Sequence, residues 1–232
     1  MSRIAIIPAR GGSKRIPNKN IKSFHGKPIL AYSIEAALNS NLYDEVMVST
    51  DDEKIAQIAL EYGATVPFYR SIKNSDDFAT TVDVLLEVLE YYKSKGINFS
   101  QATCIYACAP FVTSDLLFQS LEILNGTQCD CVFPSIAYSH PIQRAIFLNE
   151  TSKVENFDFK NSNIRTQDFQ KAYFDAGMFY TFDVEKLFAN KNLRTDNTYS
   201  IEIQDIYAQD IDNENDWILA ELKYNLFINA KL

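Results

Sequence analysis

The sequence predicts an α/β domain built on a mostly parallel sheet flanked by helices. Apolar, β-branched runs alternate with segments of helical period over roughly the first 137 residues, the pattern of strands joined through crossover helices. The first of these runs leads directly into a basic, glycine-containing loop. Helix-start and helix-stop residues stand where the period changes.

The first strand spans 3–8 and is followed by a loop to Lys27. Pro28 suits the first turn of a helix reaching about residue 39, because its missing N–H is not needed there. A second strand covers 45–49. Thr50-Asp51-Asp52 then caps a helix over 53–62, and Gly63 closes it. A third strand is expected at 65–68, a polar loop at 75–81, and a long helix from 82 to about 95 that stops at Gly96. A fourth strand at 102–107 ends before Pro110. A helix over 114–124 and a fifth strand over 131–135 follow.

Beyond residue 137 the texture changes. His140-Pro141, short alternating runs such as 145–148 and a polar stretch at 161–167 suggest hairpins and loops. The region of about 138–175 reads as an insertion in a single domain, expected to serve dimerisation and sugar binding. Strands are expected again at 176–182 and 206–211, then a final helix over 213–229. No internal repeat and no low-complexity linker is present.

A chain of 232 residues can bury one substantial core. No apolar run approaches the roughly 18 to 20 residues a membrane helix needs, and the short run before Pro8 is not a signal peptide. The expectation is a cytoplasmic protein with no membrane partner. Four cysteines, in two apolar segments without two-residue spacing, read as reduced core residues. The net charge of −8 argues against nucleic-acid binding. Residues 1–34 nevertheless hold seven basic side chains and no acidic one. Such a cationic concentration on an acidic chain suits a small polyanion. A plain solvated face is the simpler reading, but interleaved glycine and proline speak against it.

The loop after the first strand, 8–20, reads PARGGSKRIPNKN. In open α/β sheets ligands bind beyond the carboxyl ends of strands. Gly11 and Gly12 allow backbone amides to approach phosphate oxygens. Arg10, Lys14, Arg15 and Lys19 can share the charge of a triphosphate. The loop has neither a Walker sequence nor a dinucleotide fingerprint.

Asp210-Ile211-Asp212 is the second constellation. On a strand, both carboxylates would share one face, and Mg²⁺ is the natural neutralising partner, since it uses one or two carboxylates plus water and phosphate oxygens. Spacing alone serves a helix cap equally well, because these residues precede the last helix. The polyphosphate loop favours the metal. Arg70 could reach a nucleotide from the end of the third strand. His25 and His140 are the only histidines and lie far apart, and no Gly-x-Ser-x-Gly elbow supports a serine triad.

From Ile4 to about Leu222 these residues resemble the cytidylyltransferases that activate nonulosonic acids, the sialic acid-like nine-carbon sugars. IIPARGGSKRIP at 6–17, VSTDD at 48–52 and QDID at 209–212 carry the resemblance. YACAPF at 106–111, PIQRA at 141–145 and DAGMFY at 175–180 point to the pseudaminic acid branch of that family.

The resemblance implies a Rossmann-like nucleotidyltransferase fold, CTP as a substrate, Mg²⁺ as cofactor and a homodimer. It implies triphosphate handling by Arg10, Ser13, Lys14 and Lys19, and contacts to cytidine from Asn20, Arg70 and Thr81. Asp210 and Asp212 match the magnesium pair. Arg10, Lys14, Lys19 and the two aspartates would then be the catalytic set, with no side-chain general base evident. Sialic acid enzymes carry glutamine where Tyr106 stands here, which points away from N-acetylneuraminic acid. Tyr106, Gln143, Arg144, Arg165, Gln167 and Asp175 are the candidates for sugar recognition. Legionaminic, sialic or octulosonic acid substrates are the alternatives. The octulosonate enzymes place an aspartate after the fourth strand, and none occurs at 105–111 here. A non-catalytic CTP-binding regulator is the reading from another class, and the intact basic and acidic residues argue against it.

Overall fold

The computed structural model describes residues 2–76, 78–157 and 164–229. β1 (Arg3–Pro8) opens the chain and a long loop follows it, with a 3₁₀ turn at Lys19–Ile21. A small hairpin, β2 (Ser23–Phe24) and β3 (Lys27–Pro28), leads into α1 (Ile29–Ser40). β4 (Glu45–Ser49) and α2 (Glu53–Glu61) come next, then α3 (Thr81–Ser94), β5 (Gln101–Ile105), α4 (Ser114–Thr127) and β6 (Cys131–Ala137). The insertion holds the hairpin β7 (Ile146–Leu148) and β8 (Val154–Asn156). β9 (Tyr173–Asp175), β10 (Phe179–Asp183), α5 (Val184–Asn190), β11 (Thr198–Ile203) and α6 (Glu214–Asn229) complete the chain.

The main sheet runs β11-β6-β10-β5-β1-β4, with β9 also paired to β6. β4, β1 and β5 are parallel, as are β6 and β11. β10 enters antiparallel between β5 and β6, so the expected mostly parallel sheet is a mixed one. β9 and β10 lie in succession along the same strand, β6, and the chain breaks between them at Ala176-Gly177-Met178. There the Ala176 amide donates to Pro134 O at 3.0 Å, and the Met178 carbonyl accepts from the Tyr106 amide at 2.9 Å. That break, at the end of β5, helps to shape the site.

Alternation along β1 sends Ala5 and Ile7 to one face and Ile4 and Ile6 to the other, all fully buried. The first face packs under α1, α2, α4 and α6, and the second under α3 and α5. Burying each such isoleucine contributes about 1.5–3 kcal/mol. α2 is capped by Asp52, whose Oδ1 accepts the amides of Lys54 and Ile55 at 2.8 and 3.0 Å. Thr80 and Asp83 form a reciprocal capping box at the start of α3.

Two expected strands are absent. Of 65–68, only Thr65 bridges to Met47, since Pro67 has no N–H with which to continue a ladder. Residues 206–211 form the end of a 3₁₀ turn (Asp205–Tyr207) and irregular chain. The strand beside β6 is instead β11, whose sequence TYSIEI alternates polar and apolar residues. The short helix α5 was also unforeseen. Of the polar stretch at 161–167, residues 161–163 lie outside the described residues. The insertion packs partly on itself, leaving Phe147, Leu148 and Phe157 exposed. Among the described residues, no helix is long and apolar enough to cross a membrane.

Candidate active site

β4, β1 and β5 are parallel and deliver their C-terminal ends to one edge, where a cavity of about 690 Å³ opens. The loop after β1 forms one wall. Asn74, Asp76 and the segment 79–81, the end of β5 and the stretch around Asp210 supply the others. Arg10, Ser13, Lys14, Arg15, Lys19, Asn20, Arg70, Thr81, Tyr106, Asp210 and Asp212 all line this single cavity. Eleven of the residues singled out from sequence thus converge, although nearly 200 positions separate Arg15 from Asp212.

Specific contacts shape the basic loop. The Arg10 guanidinium donates to the Asp76 carbonyl at 3.0 Å, tying the loop to the segment before α3. Asn20 is buried, donates to Arg10 O at 2.8 Å and accepts from the Cys108 thiol at 3.2 Å. Lys19 Nζ donates to Ile211 O at 2.6 Å and lies 3.9 Å from Asp212 Oδ1, which also pairs with Arg15 at 2.7 Å. These bonds join the two constellations.

Gly11 acts otherwise than expected. Its amide donates to Asp51 Oδ1 at 2.9 Å, so it is not turned to a ligand, and neither Gly11 nor Gly12 lines the cavity. Glycine is required at position 11 because a Cβ there would stand 2.9 Å from Asp52. Around Gly12 the space is open.

Asp210 and Asp212 do not lie on a strand. Capping of α6 falls instead to Asn213 and Asp216: Asp216 Oδ2 accepts the amides of Asp212 and Asn213, and Asn213 Oδ1 accepts the amide of Asp216. The Asp212 side chain is thereby left to Arg15 and Lys19. Asp210 sits over Gly177, and no hydrogen bond to its carboxylate is found among the described residues. Burial, reinforced by neighbouring Asp212, raises its pKa, and Lys19 only partly opposes the rise.

Arg70 is buried at 7% exposure, with its guanidinium donating to Ser49 Oγ at 3.0 Å and to the Ser49 carbonyl. Burial lowers its pKa. Tyr106 closes the far end, its phenol pushed up to about 12 chiefly by burial, and its ring meets Tyr180 edge-on with centroids 5.9 Å apart.

The remaining sugar candidates lie elsewhere. Gln143 Nε2 donates to Gln170 O at 3.4 Å, and Arg144 donates to the Ile164 carbonyl and lies over Phe169. Arg165 pairs locally with Asp168 at 2.9 Å, and Gln167 sits in the same 3₁₀ turn. None of the four lines the nucleotide-sized cavity of this chain; Gln143, Arg144 and Arg165 make their contacts within the insertion, where Gln143 Oε1 is buried without a hydrogen-bond partner among the described residues. Asp175 lines a second cavity. Sequence reasoning missed Asn74, Asp76 and Thr80 in the first cavity, and Tyr180 and Arg194 beside it. Asp76 did leave a signal: its Oδ1 accepts the amides of Phe78 and Ala79, a turn to which aspartate is suited.

Residues 4–212 match the Cytidylyltransferase family. The chain belongs to this family. Among cytidylyltransferases it is 47% identical over 180 residues to the pseudaminic acid cytidylyltransferase of Campylobacter jejuni subsp. jejuni serotype O:2, covering 78% of each chain. It is 29% identical over 222 residues, 95% of each chain, to the CMP-N,N'-diacetyllegionaminic acid synthase of Legionella pneumophila. A solved CMP:2-keto-3-deoxy-manno-octonic acid synthetase superposes over 100% of both chains with a TM-score of 0.71 at 17% identity, which shows that this cytidylyltransferase shares its α/β fold.

Proposed function

We propose that this protein transfers CMP from CTP to the anomeric hydroxyl of a nonulosonic acid, pseudaminic acid, releasing pyrophosphate. The observation that carries the proposal is the meeting of the basic loop with Asp210 and Asp212 in one cavity, in a chain 47% identical to a pseudaminic acid enzyme. The sugar hydroxyl attacks the α-phosphorus of CTP, the bond to the β-phosphate oxygen breaks, and pyrophosphate leaves. Such transfers require positioning and charge neutralisation more than a covalent intermediate. Arg10, Lys14 and Lys19 neutralise charge that builds on the phosphates, with Ser13 and Arg15 beside them. Asn20, Arg70 and Thr81 hold the cytidine.

The donor set fits Mg²⁺. Asp210 offers a carboxylate that lines the cavity without a hydrogen-bond donor among the described residues, and Asp212 faces the same cavity. No cluster of three or more metal-binding side chains occurs among the described residues. A two-carboxylate site completed by phosphate and water is what Mg²⁺ accepts. When bound, the ion would organise the phosphates and lower the pKa of the attacking hydroxyl.

A homodimer through the insertion is supported by the exposed Ile146, Phe147, Leu148, Val154 and Phe157 around the β7–β8 hairpin. Dimerisation there also gives Gln143, Arg144, Arg165 and Gln167 a route to a partner's sugar site. Cytoplasmic placement follows from CTP as substrate and agrees with four free cysteines. A pyrophosphate-release panel with CTP and pseudaminic, legionaminic or N-acetylneuraminic acid tests activity and substrate together. Turnover is expected to be fastest with pseudaminic acid. No release with any of the three refutes the assignment.

A further inference from the structure

Beside the nucleotide cavity lies a second one, of about 370 Å³, walled by Phe133, Tyr173, Phe174, Asp175, Arg194 and Glu202. Asp175 organises its inner end. The carboxylate accepts the Gly177 amide at 2.9 Å, the Tyr180 phenol and the Arg194 guanidinium. Arg194 stands 5.0 Å above the Phe133 ring, and Phe133 in turn lies 5.6 Å from Tyr180. Burial, with Tyr106 and Asp175 adding to it, raises the Tyr180 pKa, so the phenol stays a proton donor to Asp175. Tyr180 and Tyr106 therefore form one unit whose outer end is held by an ion pair.

The two cavities share a boundary. Gly177, which lines the first cavity, stands between Asp175, which its amide contacts, and Asp210, whose Cγ would lie 2.9 Å from a Cβ added at this position. A nine-carbon sugar acid with its anomeric end at Asp210 would run across Gly177 to reach Asp175. Asp175 carries the charge and hydrogen-bond capacity, and the aromatic walls carry the apolar area, that an acylamido substituent needs. A surface ion pair formed only for stability contributes about 1 kcal/mol or less. Here the pair also fixes a phenol and two aromatic rings at a cavity wall.

We propose that Arg194 is a positioning residue for the sugar acid: with Asp175 it fixes the Tyr180 phenol and thereby the Tyr106 ring, and the cavity beside it receives the acylamido-bearing end of the substrate. The inference depends on the function proposed above and goes further, naming the residues that grade sugars. The test is steady-state pyrophosphate release by the full chain, with sugar and CTP varied separately, for Arg194→Gln, Arg194→Lys, Tyr180→Phe and the Arg194→Gln/Tyr180→Phe double variant. Thermal melting verifies that each is folded.

Arg194→Gln is expected to raise KM for pseudaminic acid about tenfold or more, the scale of one charge-assisted hydrogen bond, and to leave KM for CTP within about twofold. Arg194→Lys should recover part of the loss. The double variant should be little worse than either single one, because both changes act through one unit. An unchanged sugar KM in folded Arg194→Gln, equal rises for sugar and CTP, or full additivity overturns the inference while leaving the function standing. A wild-type protein that releases no pyrophosphate overturns the function, and the inference with it.

Discussion

Replacing Gly177 by alanine tests the geometry of the site most directly. Gly177 has φ +64°, a backbone that costs an alanine about 1–2 kcal/mol relative to its ordinary conformations. The added Cβ would also stand 2.9 Å from Cγ and 3.0 Å from Cβ of Asp210, inside contact distance. Overpacking of this kind costs about 1–3 kcal/mol, so the total destabilisation is expected at about 2–5 kcal/mol. Asp210 must move to relieve the contact, and a displacement of about 1 Å at a reacting centre lowers turnover on the order of 10²-fold. Urea unfolding measures the first quantity and pyrophosphate release at saturating CTP and sugar the second. Gly126→Ala supplies the contrast: it lies in α4 with open space around it, and the change should stabilise the protein by about 0.5–1 kcal/mol with unaltered turnover. If Gly177→Ala retained turnover within about threefold of the wild type, less than 1 kcal/mol of barrier, the placement of Asp210 by Gly177 would be refuted.

Other perturbations probe the remaining contacts. Lys19→Ala removes the bond to Ile211 O and a charge from the phosphate wall; kcat should fall by roughly 10² or more in a folded protein, and near-normal kcat would remove Lys19 from the catalytic set. Asp210→Asn should abolish Mg²⁺-dependent activity yet stabilise the metal-free protein at neutral pH. The sign follows from linkage. Asp210 has a folded pKa above its unfolded one, so its ionisation opposes folding once pH exceeds the unfolded value, and the penalty is complete above the folded value. The melting-temperature gain of the variant should therefore vanish as pH falls below the usual carboxylate range, and a pH-independent gain would contradict the burial argument. Phe147→Asp should convert a dimer into monomers in sedimentation experiments. A dimer unaffected by the charge would place the interface elsewhere.

The legibility of the fold followed the strength of local signals. β1, β4, β6 and most helices were readable because apolar period and caps coincide there, as at Asp52. β11 was not read, although its residues alternate polar and apolar as in a half-buried strand; it is a strand at the sheet edge, where Tyr199 is half exposed, and it lies beside the more apolar run at 206–211. The strand expected at 206–211 looked convincing because Ile206, Ala208 and Ile211 are apolar. Ala208 and Ile211 are buried in the core cluster that includes α6 residues, without a strand partner. In the site, the basic loop was legible by composition. The Asp210 pair was legible by spacing, although the strand geometry first invoked for it is absent. Arg194 left no local trace, since a lone arginine in a polar loop resembles any solvated one.

Sequence by itself determined the chemistry of the cavity: the cluster of cations after β1, the acidic pair near the C-terminus, and the family to which both point. Tertiary structure decided how these groups are used. The Lys19 and Arg15 contacts bring the loop to the acidic segment, the Gly11 amide turns to Asp51, and Asp175 with Arg194 stands at a second cavity. The physical reason is separation along the chain. A charge cluster or a cap is written within a few residues, whereas the burial that raises Asp210 and the partner that holds Asp175 come from segments the sheet alone brings together.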